Sequence, residues 1–475
     1  MELNDKQKMF EKVVGMETAK LMGLEFDCVC GQTHRIPIKH LSMKPDAVAD
    51  VKDRLKKLGI SGKGAVVYDK KIESIVVDPV LARLKKGGLS LERYPVGDGF
   101  EILPPEIELS KKIADRIAAA PGGGTTLGGD TTKGGVDYLV SIGSGVVSDL
   151  VKYAASLLEK PFILLATAPS MNGYTSSMAA LTDRAIKKTL MILPAHGVFA
   201  DYGILMKSPV ELVRSGLGDI LSKSICNADW KLSELVKNTY YCSLSFRITD
   251  KSEPLYLDAA EEIGARTEQG IAALTDGIMR SGLSMTVIGT STPSSGAEHF
   301  LSHYWDLIAL IEHKAKNFHG VQVGVATIII LKLYDFIRNY PVKQSIDLEK
   351  LKQNYPTEAD VRSFIERRFG LYAAGVREEF LKKYLGWREK KQEIEGILDR
   401  WGSIWNELSP YIRTVKPIEE ALRKSGAAHT FTHLGKTRDE VIDSLRNATL
   451  IRGRYTILDL ANDLGIMDKA VETIL

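Results

Sequence analysis

Three short apolar runs, with a helical pattern between the last two, constrain this chain's fold more than any other feature. They are AVVYD at 65–69, YLVSI at 138–142 and FILLA at 162–166. Runs of this length without polar alternation fit strands buried on both faces. The stretch VVSDLVKYAASLLEK between the last two has helical spacing, so the pair reads as a β-α-β unit of a parallel sheet. After about residue 205 long helical patterns take over, roughly 208–238, 256–282, 296–314 and 321–339, and strand signals become scarce. The expected fold is an α/β lobe over 1–205 followed by an all-helical lobe over 206–475, with 340–475 part of the latter. No internal repeat of solenoid period is present.

Charge narrows the partners. Lys and Arg total 63 against 60 Asp and Glu, a formal charge of +3. That balance gives no electrostatic argument for nucleic acid or an anionic membrane as main partner. The most apolar stretch, VGVATIIIL at 323–331, stops at Lys332, so no membrane span is expected. The opening MELNDKQKMFEKVVG is too polar for a signal peptide, and four cysteines make no disulfide framework. A cytoplasmic protein with reduced thiols is expected. CVCGQTH at 28–34 is read as a short strand and turn, because no second close-spaced pair completes a zinc set. The glycine-rich 121–135 is read as a surface connection.

Several segments carry candidate chemistry. In SIGSGVVSDLVKYAA, 141–155, a strand ends at Ile142, Gly143-Ser144-Gly145 turns the chain and a helix begins. Small residues and a helix start suit a pyrophosphate, although Ser148 stands where GxGxxG has its third glycine; a plain tight turn fits equally. Asp69 ends a strand, where it suits an adenosine ribose or serves as a turn acid, and Lys70 and Lys71 would suit a 2′-phosphate. TAPSMNGYTSS, 167–177, follows FILLA and is dense in hydroxyl residues, as a ligand loop at a sheet's C-terminal edge or as ordinary helix caps.

Histidines give the sharpest signal. Five of nine are His196, His299, His303, His313 and His319. His299 and His303 are four residues apart and share a helix face, as a metal site needs. HExxH is absent, since Glu298 precedes the pair. A carboxylate would complete the set, and Asp219, Asp201, Asp229 and Asp306 all remain open at this point.

The segments IGSGVVSDLVKYAA, TAPSMNGYTSSMAAL, GLGDILSKSICNADWKLS, SGAEHFLSHYWD and HGVQVGVAT, in this order, resemble the sn-glycerol-1-phosphate dehydrogenases. These belong to the iron-containing alcohol dehydrogenase and dehydroquinate synthase superfamily, and the likeness is closest to their arabinose-operon branch. It runs from about residue 25 to about 330 and is weaker beyond about 340. The resemblance implies a dehydroquinate synthase-like fold, with an NAD(P)-binding lobe, a helical lobe and a homodimer. It implies a divalent metal on Asp219, His299 and His319, with zinc the default and nickel or iron possible. His303 then becomes a substrate-contacting or proton-relaying residue.

The resemblance also implies that Gly143, Ser144, Gly145, Val146 and Val147 hold the pyrophosphate of NAD or NADP, and that Thr167, Ser170 and Ser176 line the nicotinamide side. The family usually has three glycines in that turn, and Asp where this chain has the substrate-contacting Asn172. The implied reaction interconverts dihydroxyacetone phosphate and sn-glycerol 1-phosphate, supplying ether-lipid head groups. Lys187 and Lys188 are candidates for the substrate phosphate. Competing readings are a dehydroquinate-synthase-like carbocyclase, a dehydrogenase of unphosphorylated polyols, and a nucleotide-binding paralogue without turnover.

Overall fold

The computed structural model describes residues 3–99, 103–120, 135–183 and 186–475. The glycine-rich stretch therefore lies, apart from Gly135, outside the described residues. The chain forms two compact units, Met1–Ile220 with Arg247–Ser291, and Leu221–Phe246 with Thr292–Leu475. The sequence expectation of a single cut near 205 differs from this division. Helical segments on both sides of 221–246 belong with the α/β unit, because their small residues pack against its loops.

The first unit is built on six parallel strands: β1 (His40–Lys44), β2 (Lys63–Asp69), β3 (Ser90–Val96), β4 (Tyr138–Gly143), β5 (Phe162–Ala166) and β6 (Gly197–Asp201). Their order in the sheet is β1-β6-β5-β4-β2-β3. The expected strands are β2, β4 and β5, and every residue of β4 and β5 is buried. β1, β3 and β6 have no counterpart in the sequence expectations. β3 has exposed residues and a proline, as an edge strand can, whereas β6 is a buried run. From β2 the chain moves outward to β3; from β4 it moves the other way, to β5 and β6. The gap between the C-terminal ends of β2 and β4 is thus a topological switch point, where α/β sheets bind ligands.

Helix α1 (Gly145–Leu158) follows β4 directly. Helices α2 (Val210–Ile220) and, after the excursion through the other unit, α4 (Glu268–Ile288) complete this unit's site-bearing parts, with α3 (Lys223–Lys237) lying between them in sequence. α4 packs closely because it is rich in small residues: a side chain at Gly282 would overlap Thr175 and the backbone of Asn172.

The second unit is helical among its described residues. It contains α3, α5 (Ala297–Ile311), α6 (His319–Asn339) and the helices of the C-terminal region to Ile474. The expected helix over 208–238 is broken into α2 and α3. α6 is long and apolar enough to cross a membrane by composition, but 78% of its most apolar window is buried inside the protein, as befits a core helix.

Candidate active site

The turn between β4 and α1 begins in the first unit at Gly143, whose neighbour across the sheet is Ala166. A Cβ at Gly143 would overlap Val147 in the first turn of α1, and one at Gly145 would overlap Met171. Ser144 is extended and its hydroxyl makes no capping bond to the helix. The glycine-serine-glycine turn therefore lets the helix start sit tight against the strand end, with Met171 over it. Val147 is buried and Val146 half-buried.

The loop after β5 is anchored on the same turn. Thr167 donates its backbone N–H to Gly143 O at 3.1 Å. Tyr174 Oη donates to Ala168 O at 2.6 Å, and burial raises its pKa well beyond the usual phenol range. Buried Lys152 donates to Gly173 O and to Met178 O, the latter at 3.0 Å, and pairs with Asp149 at 3.1 Å. Ser170 is buried in this loop. Ser176 is also buried, and its Oγ accepts the Met178 N–H at 3.1 Å. Asp69, at the end of β2, accepts the Lys71 N–H at 2.9 Å and so caps the turn that follows.

Asn172 ties this loop to two helices. Its backbone N–H donates to Asp219 Oδ2 at 3.2 Å, and its side-chain amide donates to Ser281 Oγ at 3.1 Å. Asp219 is in the last turn of α2 and only 2% exposed. The three other acids left open by the sequence are engaged elsewhere. Asp201 accepts the backbone N–H groups of Val48 and Gly203 at 3.1 and 3.0 Å. Asp306 accepts from Gln322 at 2.8 Å. Asp229 accepts the N–H groups of Ala297 and Ile457 and the hydroxyl of Tyr334 at 2.7, 2.8 and 2.7 Å.

In the second unit three of the five singled-out histidines converge. Ring centroids lie 5.1 Å apart for His299 and His319, 5.4 Å for His303 and His319, and 6.0 Å for His299 and His303. His313 instead ends the exposed turn after α5, and His196 belongs to the other unit. His299 Nδ1 lies 2.6 Å from Glu298 Oε1, which also accepts from Cys226 Sγ at 2.9 Å and the Gly296 N–H at 3.0 Å. Burial alone would raise the Glu298 carboxyl, but these donors, His299 first, outweigh it and hold it below its usual value. Burial pushes the Cys226 thiol well up, so it stays protonated and donates. His319 Nδ1 lies 3.2 Å from Ser302 Oγ. Both rings thus have a partner at Nδ1.

His303 Nδ1 accepts from Arg452 Nη2 at 3.2 Å, which places the proton of the neutral ring on Nε2. Arg454 Nη2 donates to Ser295 Oγ at 2.9 Å. Burial lowers the pKa of both guanidiniums, that of Arg454 to about 10. Sequence reasoning missed Arg452, Arg454 and the role of Glu298; the only signal was an RGR triplet inside an otherwise apolar tail segment. Lys188 pairs at 3.2 Å with Asp183 on an exposed hairpin, and for Lys187 on that hairpin only the backbone is described.

Comparison with known proteins decides the family. Residues 42–209 match the model of the iron-containing alcohol dehydrogenase family. A protein of Halalkalibacterium halodurans named glycerol-1-phosphate dehydrogenase [NAD(P)+] is 32% identical over 65% of this chain and 74% of its own length. The chain belongs to the glycerol-1-phosphate dehydrogenase family. A Geobacillus stearothermophilus protein of the same name is 30% identical over 66% of this chain and 74% of its own. One from Bacillus licheniformis is 26% identical over 93% of both chains, so it also spans the C-terminal region. The fold is that of the solved structures of glycerol dehydrogenase from Schizosaccharomyces pombe and alcohol dehydrogenase from Oenococcus oeni. Each has a TM-score of 0.56 at 15% identity; they cover 91% and 92% of this chain, and 89% and 98% of their own.

Proposed function

We propose that the protein interconverts dihydroxyacetone phosphate and sn-glycerol 1-phosphate with NAD(P)H, using a divalent metal held by Asp219, His299 and His319. The observation that carries this reading is the pair of neighbouring imidazoles, each with a partner at Nδ1, Glu298 for His299 and Ser302 for His319. Two imidazoles and a carboxylate suit zinc, and equally nickel or iron. Asp219 enters as the third ligand by likeness to the family.

A metal held there would supply Lewis-acid polarisation of the substrate carbonyl, and NAD(P)H would supply the hydride. This chain's own residues do the rest. Gly143 to Val147 take the pyrophosphate at the start of α1, where no side chain caps the helix. Thr167, Ser170 and Ser176 belong to the nicotinamide side, with Asp69 toward the adenosine ribose. The Asn172 N–H orients Asp219, and its side chain faces substrate recognition. His303 donates a hydrogen bond from Nε2–H to the product oxygen, which takes its proton from solvent, and Arg452 holds that tautomer.

The substrate phosphate goes to Arg452 and Arg454, in place of Lys187 and Lys188. Two guanidiniums weakened by burial gain most from a dianion. The working form is read as a cytoplasmic homodimer by likeness to the family, and a solution mass of two chains is expected.

The test is oxidation of NADH and NADPH with dihydroxyacetone phosphate, on protein stripped of metal and reloaded separately with zinc, nickel or iron. Metal-dependent oxidation that fails with unphosphorylated dihydroxyacetone is the expected result. No oxidation with any metal, by protein that still binds nucleotide, sinks the reading and favours a carbocyclase or a binding paralogue.

A further inference from the structure

The N-terminal segment CVCGQTH is absorbed by none of this chemistry. It forms the turn of a small antiparallel hairpin, Glu25–Asp27 paired with Thr33–Arg35, in the first unit. Ligand atoms of Cys28, Cys30 and His34 lie within 4.8 Å of one another. The turn is shaped to bring them there. The Cys28 N–H donates to Gln32 O at 2.9 Å and the Gly31 N–H to Cys28 O at 3.1 Å. Gly31 has φ +88°, a left-handed conformation that favours glycine. Thr33 Oγ1 donates to Asp27 Oδ1 at 2.6 Å across the hairpin.

His34 shows the protonation a metal ligand needs. Its Nδ1 lies 2.9 Å from the carbonyl oxygen of Val287 in α4. A carbonyl only accepts, so Nδ1 carries the proton and Nε2 the lone pair. Nε2 in turn lies 3.4 Å from Cys30 Sγ. An imidazole fixed by a backbone carbonyl behind it, with its other nitrogen facing thiols, is the usual support of a zinc ligand.

We propose that Cys28, Cys30 and His34 bind a structural zinc ion, distinct from the metal of the proposed active site, with a fourth donor completing the tetrahedron. Binding releases the two thiol protons to solvent, and two thiolates neutralise the ion, which suits a site where Cys28 and His34 are both buried. A hairpin with three residues per strand has little stability of its own. The ion would staple its turn and, through His34, fix it to the carbonyl of Val287.

Cobalt substitution of the reduced, full-length protein tests this without reference to activity. Thiolate ligands give Co(II) an intense near-ultraviolet charge-transfer band, and Asp219, His299 and His319 contain no sulfur. The unmodified protein should show that band, zinc should displace it, and Cys28→Ser and Cys30→Ser should each lose most of it. Cys226→Ser, which removes the thiol beside Glu298, should retain it. Absence of the band from the unmodified protein overturns the proposal, and that measurement needs no variant to fold. So does its survival in both hairpin variants, or its loss in Cys226→Ser.

Discussion

Glu298 holds its sequence neighbour His299 by a 2.6 Å contact to Nδ1, on the first turn of α5. The same carboxylate oxygen takes the Cys226 thiol and the Gly296 N–H, so its position is fixed from three sides. Such partners orient a ligand and raise its basicity. Glu298→Gln keeps the size but removes the charge. The proposed metal affinity should fall about 10- to 100-fold, the usual cost of losing this support. Competition against a chromophoric chelator measures it. Unchanged affinity in a folded variant would show that Glu298 is only a core carboxylate.

Arg452 and Arg454 carry a prediction about substrate class. Loss of a charged hydrogen bond costs about 1.5–3 kcal/mol, which is roughly 10- to 100-fold in an equilibrium. Arg454→Ala should raise KM for dihydroxyacetone phosphate by about that factor. Any slow turnover of unphosphorylated dihydroxyacetone should stay the same. Arg452→Ala should in addition lower kcat, because it frees the His303 tautomer. An equal loss with both substrates would assign these arginines to packing.

The parallel sheet and the strand-to-helix turn at Gly143 were legible because a buried strand must be continuously apolar and such a turn needs small residues. β2, β4 and β5 satisfy the first rule, and Gly143 and Gly145 the second. β6, GVFAD, was lost because Val198, Phe199 and Ala200 are its only apolar side chains, and β3 for its mixed burial. Convergence was harder to see. Spacing along one helix pairs His299 with His303, yet the closest ring to His299 is His319, which starts the next helix. Arg452 meets His303 across 149 residues of sequence. No local pattern encodes such a contact, since packing of the tail alone creates it.

Asp229 should leave a mark on the pH dependence of stability. Burial, with the nearby charge of Glu298, pushes its carboxyl up from 3.8 to about 7. The folded state therefore holds a proton that the unfolded state releases. This group's contribution is fully present below about pH 4 and is lost as pH rises through about 7. Asp229→Asn removes the titration. Wild-type stability minus variant stability, from denaturant midpoints, should decline between pH 4 and 7 and level off above. A flat difference would mean that the three hydrogen bonds to the carboxylate keep it ionised throughout.

Gly216 separates close packing from helix propensity. It lies in α2, one turn before Asp219, and an added methyl would overlap the carbonyl oxygen of Pro169 and stand 3.0 Å from Ile278. The backbone carbonyl cannot rotate away, so the 167–176 loop or α2 has to move. Gly216→Ala should cost about 1–3 kcal/mol as an overpacked core. It should also weaken nucleotide binding, because the displaced loop is the one anchored to Gly143. Gly396, in the helix Trp387–Asp399, has open space around it. Gly396→Ala should therefore gain roughly 0.5–1 kcal/mol from propensity alone. Thermal unfolding of the two variants, with and without NADH, gives the comparison. Equal shifts in the same direction would deny Gly216 any role in seating the loop.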